Sequence, residues 1–184
     1  MKRAAIFLLA ALAFSTAHAA LPPAVEALAP AWRALGQGEM RWFGFSLYDA
    51  ALWVSGEQMN ETREWERESE MRRPYALALH YKRDFTRERL VDTSIDEIRR
   101  LGTKDEALLA RWRSELNLIF PDVRSGQTIV GVRLPGEGAR FFFEGRVVGA
   151  LSDERFARAF FAIWLDSRTR SPELRARLLG AAQP

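Results

Sequence analysis

Asp49 stands in the run YDAALWV, where every other residue is apolar or aromatic. A carboxylate buried there without a partner costs several kcal/mol, so two readings are open. Asp49 sits at a rim and pairs with one of the many arginines, or it is a polar anchor inside a pocket with a perturbed pKa. Arg41 lies upstream, and its planar guanidinium suits a carboxylate or phenolate oxygen. If the chain does chemistry, Asp49 or Tyr48 is the acid–base group and Arg41 stabilises an oxyanion. A solvated Arg41 is the plain alternative. Thr93 and Ser94 are hydroxyls beside an apolar helical stripe; each either bonds back to the preceding turn or points into a cavity.

Other chemistries lack their residues. The chain has no cysteine, which removes disulfides, thiolate metal sites and cysteine nucleophiles. Of two histidines, His18 lies in a segment read below as cleaved, and His80 alone does not make a zinc site. No G-x-S-x-G elbow or glycine-rich phosphate loop occurs. The expectation is no metal and no cofactor.

These residues need elements to position them. Arg41 to Val54 reads as one or two strands, since Phe43, Phe45 and Leu47 alternate and Tyr48, Ala50, Leu52 and Val54 continue at period two. Tyr75 to Lys82 is a further strand with Leu77, Leu79 and Tyr81 on one face. Glu57 to Arg73 is charge-dense and reads as an exposed excursion ended by Pro74. Thr86 to Leu101 predicts a helix with Leu90, Val91, Ile95, Ile98 and Leu101 on one side, stopped by Gly102. Lys104 to Phe120 predicts another, ended by Pro121. Gln127 to Leu134 is a β-branched strand, and PGEG at 135–138 is a turn. Phe141 and Phe143 share a strand face, and Glu144-Gly145 makes a hairpin turn with glycine at positive φ. Ser152 is the predicted N-cap of a helix carrying Phe156, Phe160, Ile163 and Trp164 on one face. Ser171-Pro172 starts a last helix, which Gly180 closes. Leu21 to Ala34 is a lead-in with a short helix at most, broken by Gly36 to Gly38.

At the N-terminus Lys2 and Arg3, the apolar run Ala4 to Phe14 and the Ala17-His18-Ala19 site spell a cleavable export signal over 1–19. That run is too short to span a bilayer, and no stable membrane insertion is expected after processing. Cleavage leaves about 165 of 184 residues, one domain with a substantial core. The expected division is lead-in 20–37 and domain 38–180, in a periplasmic protein. The formal charge of +3 falls near +1 without Lys2 and Arg3, which does not point to nucleic acid. The fold class is α+β.

The order of strand YDAALWV, strand YALALHYKRDF, helix TRERLVDTSIDEIRRLG, hairpin FFFEGRVVG, helix FARAFFAIWLD and closing SPELRARLLG resembles the chalcone isomerase-like family, especially its bacterial exported branch, over Gly38 to Gly180. The resemblance implies an open-faced β-sandwich: a large antiparallel sheet, a helical layer on one face and a cleft between them. Plant chalcone isomerases cyclise a chalcone to a flavanone by conjugate addition of a phenolate. Their cleft arginine corresponds to Arg41, their threonine to Tyr48 or Asp49, and their tyrosine to Phe85 or Thr86. Their asparagine corresponds to Thr93 and a later hydroxyl to Ala157, so most of that catalytic set is missing. Non-catalytic plant relatives hold a fatty-acid carboxylate with an arginine and a tyrosine, here Arg41 and Tyr48.

The resulting expectation is a cofactor-free protein that binds a small amphipathic or aromatic ligand, such as a fatty acid or phenolic acid, without converting it. The candidate ligand-binding set is Arg41, Tyr48, Asp49, Tyr81, Thr86 and Thr93. The alternatives are an isomerase of the intramolecular-lyase type, and a module whose aromatic surface binds an envelope protein partner.

Overall fold

The computed structural model describes residues 21–56 and 73–180. The predicted export signal, and all but the last residue of the charge-dense excursion from Glu57 to Arg73, lie outside them. Six strands form one antiparallel sheet in sequence order: β1 (Trp32–Trp42), β2 (Phe45–Ser55), β3 (Tyr75–Tyr81), β4 (Thr128–Leu134), β5 (Gly138–Phe143) and β6 (Arg146–Leu151). The helices are α1 (Pro23–Glu26), α2 (Arg87–Leu101), α3 (Glu106–Ile119), α4 (Glu154–Leu165) and α5 (Pro172–Leu178).

Period-two alternation sorts each strand's residues onto two faces. Ala50, Leu52 and Val54 of β2, Leu77 and Leu79 of β3, Ile129 of β4 and Phe141 of β5 join one core with Val91, Ile95 and Ile98 of α2, Trp112 and Leu116 of α3, and Phe156 and Phe160 of α4. The helical layer therefore lies on one face, as the family resemblance implies. The opposite face carries a second buried cluster of Ala76, Val130, Val132 and Phe142, against which Leu21 and Val25 pack. The segment before β1 thus covers part of this outer face, and the folded unit reaches back to Leu21 rather than beginning at 38.

Gly36 and Gly38 do not break the chain; β1 runs through both. A Cβ at Gly36 would lie 2.0 Å from the Arg177 carbonyl oxygen, and one at Gly38 would lie 2.9 Å from Leu174 Cδ1. The two glycines let α5 lie directly on β1, the close approach for which a strand glycine is suited.

The caps refine the helix boundaries. Thr86 Oγ1 accepts from Arg89 N at 3.2 Å, and Asp105 caps α3 through Leu108 N at 3.0 Å. Asp153, not Ser152, caps α4. Its carboxylate accepts from Arg155 N at 2.8 Å, Phe156 N at 3.2 Å and Trp112 Nε1 at 3.2 Å, and pairs with Arg111. Two acceptor oxygens serve four donors that one hydroxyl could not. Ser171 occupies the N-cap position of α5, yet its hydroxyl makes no cap bond and turns to Met40 Sδ. Beneath α4, Arg133 of β4 is 1% exposed and is held by an ion pair with Glu154 and by the Tyr75 ring 5.6 Å away.

Candidate functional site

Between the inner face of the sheet and helices α2 and α4 lies a cavity of about 400 Å³. Its walls are apolar: Leu79, Ile129 and Phe141 from the sheet, Leu90 from α2, Phe160 and Trp164 from α4. Gly131 helps open it, since a Cβ there would meet the Phe141 and Phe161 rings at 3.3 Å. The exposed members of the lining ring its mouth: Trp42, Arg89, Thr93, Asp96 and Arg170.

The polar groups are few. Tyr48 and Tyr81 stand edge to face at 5.7 Å, and Phe85 closes on Tyr81 at 5.6 Å. Tyr48 Oη accepts from Trp164 Nε1 at 2.9 Å. Burial pushes the Tyr48 phenol up to about 12, against the opposing pull of that indole N–H and with the help of the Glu97 charge. The Tyr81 phenol is likewise raised, by burial and then by Tyr48. Desolvation disfavours the phenolate, so both groups are uncharged hydrogen-bond donors at neutral pH.

Charge is confined to the mouth. Glu97, 13% exposed, is paired with Arg100 and with Arg170, each at 2.7 Å. Asp96 is paired with Arg99 at 2.8 Å. Arg89 is exposed and has no ion pair among the described residues.

Tyr48, Tyr81 and Thr93 of the predicted set come together in this lining, while Arg41, Asp49 and Thr86 do not. Asp49 follows Tyr48 on β2, so it faces the opposite side of the sheet, where Lys82 holds it at 2.8 Å. Asp49 is exposed, and the partner that holds it is this lysine rather than one of the arginines. Arg41 is exposed and pairs with Glu39 at 3.4 Å; its neighbours Met40 and Trp42 are the ones that line the cavity. Lys82 also bonds Glu39, and this contact holds the Glu39 carboxyl down at about 2. Thr86 is committed to its cap. Ser94 lines the cavity, with its hydroxyl donated back to the Leu90 carbonyl at 2.8 Å. Phe85 is in the lining, whereas Ala157 is buried in the core.

Sequence reasoning missed Arg89, Glu97, Arg170 and the indole of Trp164. The first two had a readable signal. Arg89, Thr93 and Glu97 are spaced by four along α2 and therefore share a stripe beside its buried face.

The sequence model of the chalcone isomerase-like family matches residues 15–180. The chain belongs to the chalcone isomerase-like family. It is 28% identical over 149 residues to an uncharacterised protein of Haemophilus influenzae, covering 81% of this chain and 68% of that one. The solved structure of a fatty-acid binding protein of Arabidopsis thaliana superposes with a TM-score of 0.63 at 15% identity, covering 82% of this chain and 87% of that one. At that identity the likeness is one of fold: an antiparallel sheet backed by helices.

Proposed function

We propose that the protein binds a small amphipathic carboxylate, a fatty acid or a phenolic acid, between the sheet and α2/α4 and does not convert it. The observation that carries this reading is an apolar cavity whose interior donors are uncharged phenols and whose mouth holds an arginine unpaired among the described residues. About 400 Å³ lies within the roughly 300–1,000 Å³ of small-molecule sites. The apolar tail lies against Leu79, Ile129, Phe141 and Phe160, and the carboxylate meets Arg89. Arg89 thus takes the part that the family resemblance gave to Arg41, and Tyr48 and Tyr81 supply uncharged donors. The fatty-acid binding neighbour of the same fold supports the ligand class.

Two arrangements favour binding over conversion. Asp49, the candidate base, stands on the outer face with Lys82, and the carboxylates at the mouth are already paired with arginines. Neither phenol is a ready base at neutral pH. Export to the periplasm, with cleavage after Ala19, belongs to the same reading; the mass of protein from the periplasmic fraction should place Ala20 at the N-terminus.

The deciding test is calorimetric titration with dodecanoate and with a hydroxycinnamic acid, for wild type, Arg89→Ala and Arg41→Ala. Binding that survives Arg41→Ala and weakens at least tenfold in Arg89→Ala is the expected result. No binding of either acid, or equal binding by all three proteins, would overturn the reading. Turnover of a hydroxychalcone to one flavanone enantiomer would overturn its non-catalytic part.

A further inference from the structure

The β1–β2 turn holds large apolar side chains in water. Trp42 is 43% exposed, Phe43 85% and Phe45 59%. Phe43 does so at a backbone cost: its φ is +47°, followed by +81° at Gly44. Left-handed backbone is disfavoured for a residue with a Cβ, and a phenylalanine this exposed recovers little of that cost by burial. Within the cluster Trp42 and Phe43 meet edge to face at 5.2 Å. Cations flank it: Arg83 lies 5.0 Å from the centre of the Phe45 ring, and the Arg41 side chain, paired with Glu39 at 3.4 Å, is 64% exposed. Trp42 is also part of the cavity mouth.

We propose that this turn inserts into the headgroup–acyl boundary of a phospholipid bilayer, with Trp42, Phe43 and Phe45 among the upper acyl chains and Arg41 and Arg83 against anionic headgroups. Aromatic rings favour that interface, and arginine beside it gains from the negative surface potential. The shape selects lipid over protein. A convex two-residue turn with its flanking strand ends is far below the roughly 800 Å² per partner of a stable protein interface, whereas a fluid boundary accepts an isolated protrusion. Docking in this way brings the cavity mouth to the lipid surface, so an apolar ligand crosses between bilayer and cavity with little exposure to water. The docking itself does not depend on what the cavity holds.

The test is co-sedimentation with vesicles of phosphatidylethanolamine and phosphatidylglycerol (3:1), using the chain from Ala20, which contains the whole described fold. Wild type should partition onto these vesicles, and Phe43→Ser/Phe45→Ser should lower the partition coefficient at least tenfold. Phe43→Asn, a residue that suits the turn, should lower it severalfold without loss of thermal stability, which separates docking from folding. Arg83→Gln should weaken binding to the anionic vesicles and leave the weaker binding to phosphatidylcholine vesicles unchanged. No partition of wild type, or equal partition of wild type and the phenylalanine variants, would overturn the proposal. So would a protein that binds the tip while vesicles do not. A fatty-acid titration that fails while vesicle binding succeeds would remove the ligand reading and leave this one standing.

Discussion

At the β1–β2 turn Phe43 and Gly44 take φ of 47° and 81°; at the β5–β6 turn Glu144 and Gly145 take 48° and 76°. Both are two-residue hairpins with positive φ at both central positions, the geometry that matches the twist of the flanking strands. Their first residues differ in what they do. Glu144 returns its carboxylate to Thr128 N at 2.6 Å and so ties the turn to β4. Phe43 projects into solvent. The same contrast runs through the sheet behind each turn. Below the β5–β6 turn, Phe142 is fully buried on the outer face, and Phe141, fully buried on the inner face, packs against α4 as a wall of the cavity. Below the β1–β2 turn, Met40, Tyr48 and Tyr81 border the cavity. The edge of the sheet at β5 and β6 is packed for stability, and the edge at β1 and β2 keeps open space and exposed rings that packing alone does not explain.

The largest way to break the comparison is at Arg133, in the packed half. Glu154→Ala removes one carboxylate partner of the buried Arg133 guanidinium and should cost about 3 kcal/mol, read as a shift in the urea midpoint with an unchanged slope. A cost below 1 kcal/mol would mean that the packed half is not stiffened by this pair.

In the open half, Arg89→Ala should cost affinity rather than stability. Losing one charge-assisted hydrogen bond to the bound carboxylate is worth about 1.5–3 kcal/mol, while the thermal midpoint should stay put because the side chain is exposed.

The two cavity phenols give a pH signature. Their folded pKa values are raised, so their contribution to stability is complete below the usual phenol value near 10 and is lost as pH rises through about 12 for Tyr48. Stability should therefore fall from about pH 10 upward, and Tyr48→Phe should reduce that slope. An ultraviolet titration showing all three tyrosines of the chain ionised together near 10 would contradict it.

The smallest effect compares the turns directly. Phe43→Gly should stabilise by roughly 0.5–1 kcal/mol, because it relieves the left-handed backbone and gives up little buried surface. Glu144→Gly should be neutral or destabilise by about as much, since the same relief is offset by the lost bond to Thr128 N. Equal signs for the two substitutions would erase the distinction.

Much of the fold was legible along the chain because its signals are local. Period-two runs gave β2 and β3, β-branched residues gave β4, and the 3.6-residue apolar stripes gave α2, α3 and α4 with ends close to those observed. Glu144-Gly145 announced its own hairpin. The strip Phe43-Gly44 encodes the same turn, but a phenylalanine where asparagine or aspartate is usual hid it inside an apparently continuous alternation. Alternation also fixed that Tyr48 and Asp49 face opposite ways, without saying which faces the cavity. That was decided when α2 and α4 covered the Tyr48 face and Lys82 arrived from the end of β3 to hold Asp49 outside. Gly36 and Gly38 read as a break because a glycine signals permissiveness, not its reason; only the approach of α5 supplies the reason. Arg41 and Arg89 are the same residue type, in a chain rich in them. The spacing of Arg89, Thr93 and Glu97 marks a shared stripe on α2, but whether a guanidinium meets a ligand depends on which elements close around it, and that closure is long-range. Local sequence determined most of the elements, while tertiary packing decided where the cavity lies and that Arg89 rather than Arg41 stands at its mouth.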